Sequence, residues 1–179
     1  MPRYRNVAKR AGLDEELGRE TDAQVVERYT GTGSTDFWGI SFAPSGEDRA
    51  PMEKATFERK LALLRAAWAE FDDVAARVSA DLRPGPRGGG RSRDEIIRHV
   101  LVVEGEDFAK RVEVATSFED PSSRTPQRRA AHRDRFVEAM REWHAESKPL
   151  GKWTTPYLLR HAAYHALDHA WEMEDRDLT

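Results

Sequence analysis

The 179-residue chain contains no cysteine, and this absence excludes several chemistries. Disulfide bonds, thiolate metal sites and a cysteine nucleophile are ruled out, so any thiol chemistry needs a thiol from outside the chain. No apolar run approaches the length that spans a membrane, and the basic segment from Met1 to Gly12 lacks the apolar core of a signal peptide. We therefore expect a cytoplasmic protein without a membrane partner.

Charged residues are abundant but nearly balanced in sign. The net charge is −3 and the isoelectric point is about 6.1, which argues against sequence-independent binding of nucleic acid. A basic cluster near residue 130 is accompanied by acidic residues and by few aromatics, so we interpret it as a solvated helix face. Its members are Arg124, Arg128, Arg129, Arg133 and Arg135. We expect a small-molecule partner rather than nucleic acid.

Four segments have the periodicity of amphipathic helices, so the sequence predicts an all-α fold. In the first, apolar residues recur at alternating intervals of four and three, as in a bundle helix. Ser92 and Glu95 match a capping box, and Thr155 before Pro156 has the features of an N-cap. The expected helices run from Met52 to Leu82, from Ser92, from near Thr125 and from Thr155.

The first fifty residues have the least regular pattern. Residues 3–12 have the features of a short basic helix, whereas residues 23–29 and 35–41 have the composition of two short strands. We therefore expect an extended or hairpin arm over residues 1–50, followed by a helical domain over residues 51–179. The arm should pack on the helices or on a second subunit in a homodimer, because its apolar residues would not remain in water. These residues are Phe37, Trp38, Ile40 and Phe42.

Three of the six histidines lie near the C-terminus at intervals of four residues, at positions 161, 165 and 169. Helical residues four apart differ by about 40° around the axis and lie about 6 Å apart along it, so two such imidazoles can chelate one ion. The His-x-x-x-His spacing is a weak signal by itself, because surface histidines often have it. A metal site requires a further ligand.

The apolar stripes bring such a ligand into position. His99 lies on the inward stripe of the second long helix, and His165 and His169 lie on that of the fourth. Three inward imidazoles from two facing helices can share one cation. His161 lies about 80° around the helix from His169, so we treat it as a secondary candidate.

An alternative is that these are ordinary core histidines, hydrogen-bonded to carboxylates such as Glu104, Glu106 or Glu172. In a metal site, Glu172 and Glu104 are the candidate catalytic proton acceptors, because each follows a candidate ligand at close to helical spacing. His132 and His144 have no partner at ligand spacing, and we expect them at the surface or its boundary.

Residues 92–99 (SRDEIIRH) and 160–172 (RHAAYHALDHAWE) carry a resemblance to a known family. From about Met52 to Asp177 the chain resembles the DinB/YfiT-like four-helix metalloproteins, and this implies a four-helix bundle of the up-down-down-up type. In that family one histidine on the second helix and a His-x-x-x-His pair on the fourth bind a divalent metal. The resemblance thus implies that His99, His165 and His169 bind a divalent metal. Three imidazoles accept zinc, nickel, iron or copper, and we expect zinc, with nickel or iron as alternatives. His161 is a departure, because arginine often precedes the Tyr-His part of the motif.

The resemblance also implies a reaction class. Family members with known activity use the metal to activate a low-molecular-weight thiol, and a mycothiol-dependent maleylpyruvate isomerase shares the fold. Three imidazoles leave a coordination position open, as in catalytic sites. We therefore expect a divalent-metal-dependent thiol S-transferase or isomerase acting on a small electrophile. A non-catalytic metal- or ligand-binding protein is the alternative, and metal-dependent hydrolysis is a lesser one.

Overall fold

The computed structural model describes residues 2–16, 24–28, 30–31, 33–38, 43–85 and 88–178. Within these ranges the chain is helical and contains no strand, which confirms the predicted all-α fold. None of the described helices combines the length and the apolar character needed to cross a membrane. The α-helices are α1 (Pro2–Arg10), α2 (Gly33–Trp38), α3 (Gly46–Arg49), α4 (Lys54–Arg77), α5 (Arg93–Val102), α6 (Pro126–Ala145) and α7 (Thr155–Asp175).

Helix α4 buries the apolar stripe that predicted it. Its buried side chains include Phe57, Leu61, Leu64, Trp68, Phe71 and Val74. The helix ends at Arg77, before the predicted end at Leu82, because the next peptide groups bond elsewhere. The Ser79 N–H donates to Asp177 Oδ1 at 2.9 Å, and the Ala80 carbonyl accepts from the Arg93 N–H at 3.2 Å. These hydrogen bonds are non-local, so the periodicity of the sequence could not predict them.

Helix α5 begins at the predicted capping box. The Ser92 side chain accepts from the Glu95 N–H, and the Glu95 carboxylate accepts from the Ser92 N–H. These bonds satisfy two of the amide groups that a helix start leaves without intrahelical partners. The cap fixes the register of α5 and therefore the direction in which His99 points.

A π-helical turn over Val103–Phe108 follows α5 without a break, and its hydrogen bonds include one from the Ala109 N–H to the Glu104 carbonyl. The backbone of Thr116 crosses this turn at Gly105. The Thr116 N–H donates to the Gly105 carbonyl at 3.0 Å, and a Cβ on Gly105 would lie 2.0 Å from the Thr116 carbonyl oxygen. Only glycine fits there, and the wider π-turn changes which later residues face the core.

Threonine side chains cap both remaining long helices. Helix α6 begins next to Thr125, as predicted, and the Thr125 side chain caps it by accepting from a backbone N–H of the first turn. The N-cap of α7 is Thr154 rather than Thr155, so that prediction is wrong by one residue. The Thr154 hydroxyl accepts from the Tyr157 N–H at 3.3 Å and donates to the Asp48 carbonyl at 2.6 Å. The bond to Asp48 comes from α3 and favours Thr154 in a way that the local pattern does not reveal.

The four longest helices, α4, α5, α6 and α7, all contribute side chains to the core. Helices α4 and α7 pack against each other most extensively, while α5 and α6 each contact α7. One cluster of buried apolar side chains includes residues from each of these helices, among them Trp68, Ile96, Met140 and Ala162. The candidate histidines lie between α5 and α7, at the edge of this cluster.

The N-terminal helix α1 confirms the predicted short basic helix. It packs on α4 and buries Val7, which is 1% exposed. Arg3 pairs with Asp175 at the end of α7, and Arg10 pairs with Glu70 of α4 at 3.1 Å. Helix α1 therefore links α4 to the C-terminal end of α7.

The predicted strands are not observed in the described residues. Residues 24–28 have no regular secondary structure, and α2 occupies the start of the second predicted strand, so the strand prediction is wrong there. Short apolar runs do not distinguish strand from helix, and an isolated two-stranded hairpin is only marginally stable. The rest of both segments and the apolar arm side chains lie outside the described residues. The division at residue 50 and the homodimer stay predictions.

Candidate metal centre

Three histidines meet where α5 and α7 contact each other. His99 lies near the end of α5, and His165 and His169 lie one turn apart on α7. One ring nitrogen from each residue lies within 4.8 Å of the other two. The His169 ring centroid is 4.9 Å from that of His99 and 4.7 Å from that of His165. The structure thus brings together the three residues that the sequence singled out.

The separations between these nitrogens suit a single cation. The Nε2 atoms of His99 and His165 are 3.3 Å apart. Two imidazole nitrogens bound to one tetrahedral zinc ion at about 2.1 Å lie about 3.4 Å from each other. No carboxylate joins the group in the described part of the chain, so the donor set is three imidazoles. This set fits a divalent metal with a coordination position left open.

Burial keeps two of the imidazoles neutral. Burial lowers the pKa of His99 to about 4, and the positive charge of Arg91 contributes to the shift. Burial also lowers the pKa of His165 to about 2, with further contributions from His169 and His99. Neutral imidazole has a nitrogen lone pair, which is the form that binds metals. Both residues therefore have the protonation state of a ligand at neutral pH.

The third imidazole is oriented by a carboxylate. Glu172 Oε2 accepts from His169 Nδ1 at 2.8 Å, and Glu172 Oε1 accepts from Arg176 Nη1 at 2.7 Å. The hydrogen bond from His169 is the main cause of the lowered pKa of Glu172, so this carboxyl group is ionised. With the proton on Nδ1, the Nε2 lone pair of His169 is available to a cation. The predicted association of Glu172 with the histidines is present in the structure.

The outer nitrogens of the two candidate ligands on α7 differ in their surroundings. The Nδ1 atom of His165 is buried and has no hydrogen-bond partner in the described structure. The hydrogen bond between His169 and Glu172 thus has no counterpart at His165. Outer hydrogen bonds fix the tautomer and the ring plane of metal-binding histidines. His169 is accordingly the better oriented of the two candidate ligands on α7.

His161, the secondary candidate, lies outside the cluster. Its ring stacks on Tyr157 with centroids 5.3 Å apart and meets the edges of Phe108 and Trp153. Burial in this aromatic environment lowers the pKa of His161 to about 4. The angular offset between His161 and His169 on α7 explains why the two side chains reach different neighbours. His161 is a core histidine in this structure.

Glu104, the second candidate proton acceptor, is directed away from the histidines. Its carboxylate accepts from Arg133 Nε at 3.1 Å and from Arg133 Nη2 at 3.3 Å, and its side chain is 3% exposed. Burial raises the pKa of Glu104 although Arg133 opposes this shift. Arg133 also donates to Asp72 at 2.7 Å. Arg133 therefore departs from the predicted solvated face, because it neutralises a buried carboxylate contributed by the π-turn.

His132 and His144 do not join the cluster. His132 is 1% exposed, its Nδ1 lies 3.0 Å from Thr116 Oγ1, and its ring packs against Phe118. The prediction of a surface or boundary position is wrong for His132, because the segment after the π-turn folds over it. His144 is partly exposed and stacks on Phe57, with centroids 4.2 Å apart.

Arg176 is the residue near the site that the sequence reasoning missed. It follows Glu172 by four positions, a spacing at which a carboxylate and an arginine commonly pair along a helix. That spacing was a local signal that could have identified Arg176. The hydrogen bonds of Arg176 to the connection between α4 and α5 are non-local, so no local pattern indicates them.

Comparisons of the chain with protein-family models, with curated proteins and with solved structures find no match. The geometry of the histidine cluster is therefore the main basis for a functional proposal.

Proposed function

We propose that this protein is a divalent-metal-dependent enzyme that adds a low-molecular-weight thiol to a small electrophilic substrate. It acts as an S-transferase or as a thiol-dependent isomerase. The observation that carries the proposal is the convergence of His99, His165 and His169 from two helices. The ligand order, with one histidine on α5 and a His-x-x-x-His pair on α7, supports an assignment to the DinB/YfiT-like four-helix bundles. The preferred ion is zinc, with nickel or iron as alternatives.

Each residue of the cluster has a defined role in this proposal. His99 and His165 hold the ion through neutral imidazoles, and His169 does so with its proton fixed on Nδ1 by Glu172. When bound, a divalent cation lowers the pKa of a thiol or water in its open position, so a nucleophile exists at neutral pH. The chain has no cysteine, so the thiol must be a separate molecule. Glu172 orients a ligand, and we assign it no proton transfer to substrate.

A second candidate is a metal-binding protein without turnover. It is favoured by the partial burial of all three histidines at the edge of the core, where an ion would chiefly join α5 to α7. Both candidates require the same metal site. They differ in whether an added thiol reacts faster in the presence of the metal-loaded protein.

Thiol transfer should depend on the metal and on His165. We expect zinc-loaded protein to accelerate the reaction of mycothiol or glutathione with 1-chloro-2,4-dinitrobenzene, followed by absorbance of the thioether. With zinc held below the wild-type dissociation constant, His165→Ala should lower this rate about 100-fold, because structural zinc sites bind with about 10–16 kcal/mol, or roughly 3 kcal/mol per ligand, and the loaded fraction falls with the affinity. His144→Ala is the matched control, because His144 stacks on Phe57 outside the cluster. A zinc-loaded wild type that accelerates neither thiol would favour the second candidate.

A further inference from the structure

Arg176, at the C-terminal end of α7, binds three separate parts of the structure at once. Its Nη1 donates to Glu172 Oε1 at 2.7 Å, its Nε to the Arg83 carbonyl at 2.7 Å, and its Nη2 to the Arg91 carbonyl at 2.8 Å. Its side chain is 11% exposed. A guanidinium group has donors in a planar fork, so it can hold several acceptors in a fixed arrangement. Arg176 thus ties two points of the connection between α4 and α5 to a carboxylate beside the histidine cluster.

The backbone near Arg176 is shaped to admit this side chain. Gly90 has φ +124, and a Cβ there would lie 2.6 Å from Arg176 Nη2. The backbone conformation favours glycine at this position, and the absence of a side chain leaves room for the guanidinium group. The Arg83 N–H donates to the Arg176 carbonyl at 2.7 Å, and Arg83 Nη2 donates to the Asp175 carbonyl at 2.9 Å. The connection and the end of α7 therefore each donate hydrogen bonds to the other.

Glu172 connects Arg176 to one of the candidate metal ligands, His169. Glu172 uses one oxygen for Arg176 and the other for His169 Nδ1, so the arginine and the imidazole fix the carboxylate from both sides. His165 has no such outer hydrogen bond. The orientation of the cluster therefore depends strongly on the Glu172 carboxylate, and Glu172 depends on Arg176.

We propose that Arg176 is a positioning residue of the metal centre, which sets the metal affinity through Glu172 and His169 and couples it to the connection between α4 and α5. The inference rests on the proposed metal site. Coupling between two sites is reciprocal: if the bonds of Arg176 to the connection favour metal binding, metal binding strengthens those bonds. Arg176 does not contact the ion in this proposal.

Two variants test the role of Arg176 by different routes. Arg176→Gln removes the guanidinium fork, and Gly90→Ala keeps it but inserts a methyl group where Nη2 lies. Arg77→Gln is the control for the first, because Arg77 pairs with Glu174 at the same end of α7 without contacting Glu172. Gly88→Ala is the control for the second, because Gly88 also has positive φ (+74) but its Cβ would meet nothing within 4 Å.

The zinc dissociation constant, measured by competition with a chromophoric chelator, is the first measurement. Loss of the hydrogen-bonded groups that support a ligand typically weakens metal affinity 10–100-fold. We expect a loss of that size in Arg176→Gln and a loss in the same direction in Gly90→Ala. Both controls should stay within about twofold of the wild type, because neither disturbs the Glu172 carboxylate.

The visible absorption spectrum of the cobalt(II)-substituted protein is the second measurement, because it reports the geometry at the ion. We expect it to change in Arg176→Gln and Gly90→Ala and to match the wild type in both controls. Wild-type affinity and spectrum in both test variants would overturn the role of Arg176 and leave the metal site intact. A wild type that binds neither zinc nor cobalt would overturn the proposed function itself.

Discussion

Zinc at about 1,000 times its dissociation constant should raise the midpoint of thermal unfolding of the wild-type protein by about 8–16 °C. An ion that binds only the folded state stabilises it by about 4 kcal/mol at this excess. A domain of this length gains about 2–4 °C for each kcal/mol. The ligands come from α5 and α7, so the ion joins elements that the unfolded chain separates. Differential scanning calorimetry with and without zinc measures the shift.

The comparison should be made within each variant, so that the effect of the substitution on the metal-free protein cancels. His165→Ala should lose most of the zinc-induced shift, because one of three ligands is gone. His161→Ala is the control on the same helix: His161 packs against aromatic rings, so the variant is less stable but should keep the shift. Equal shifts in the two variants would show that zinc acts elsewhere on the chain.

Replacing Arg133 by methionine should destabilise the protein by about 3–5 kcal/mol, the range measured when one partner of a buried ion pair is removed. Arg133 and Glu104 are 8% and 3% exposed at their side chains. The substitution leaves the Glu104 carboxyl group in the core without its main partner. Urea-induced unfolding of the metal-free protein at neutral pH gives the free energy of unfolding.

A surface pair provides the control for this substitution. Arg65 pairs with Asp134 at 3.2 Å, but their side chains are 46% and 67% exposed, so Arg65→Met should cost no more than about 1 kcal/mol. Replacing both buried partners, with Arg133→Met and Glu104→Leu together, should recover much of the loss, because no buried charge then lacks a partner. A loss below about 1 kcal/mol in Arg133→Met would contradict the burial of this pair.

Local sequence signals predicted most helix positions. The apolar stripe of α4, the capping box at Ser92 and the threonine cap of α6 each act within a few residues, so they can be recognised without the fold. The errors occur where distant groups intervene. Asp48 favours Thr154 over Thr155 as the N-cap of α7, and Asp177 bonds to the backbone just after α4.

The same distinction explains which site residues the sequence revealed. His165, His169 and Glu172 share one helix, so their spacing alone brings them together. Glu104 was expected beside the cluster, but the π-turn and the non-local pairing with Arg133 direct it elsewhere. A regular helical stripe cannot predict a π-turn, because the turn depends on tertiary packing such as the crossing of Thr116 over Gly105.

The metal site is tested most directly by the metal content of protein purified without an affinity tag or chelator, measured by mass spectrometry. Wild type, His99→Ala and His165→Ala should be compared, because these two ligands come from different helices. We expect about one divalent ion per wild-type chain and a loss of that ion in both variants. A metal-free wild type that also gains no thermal stability from added zinc, nickel or iron would contradict the three-histidine centre.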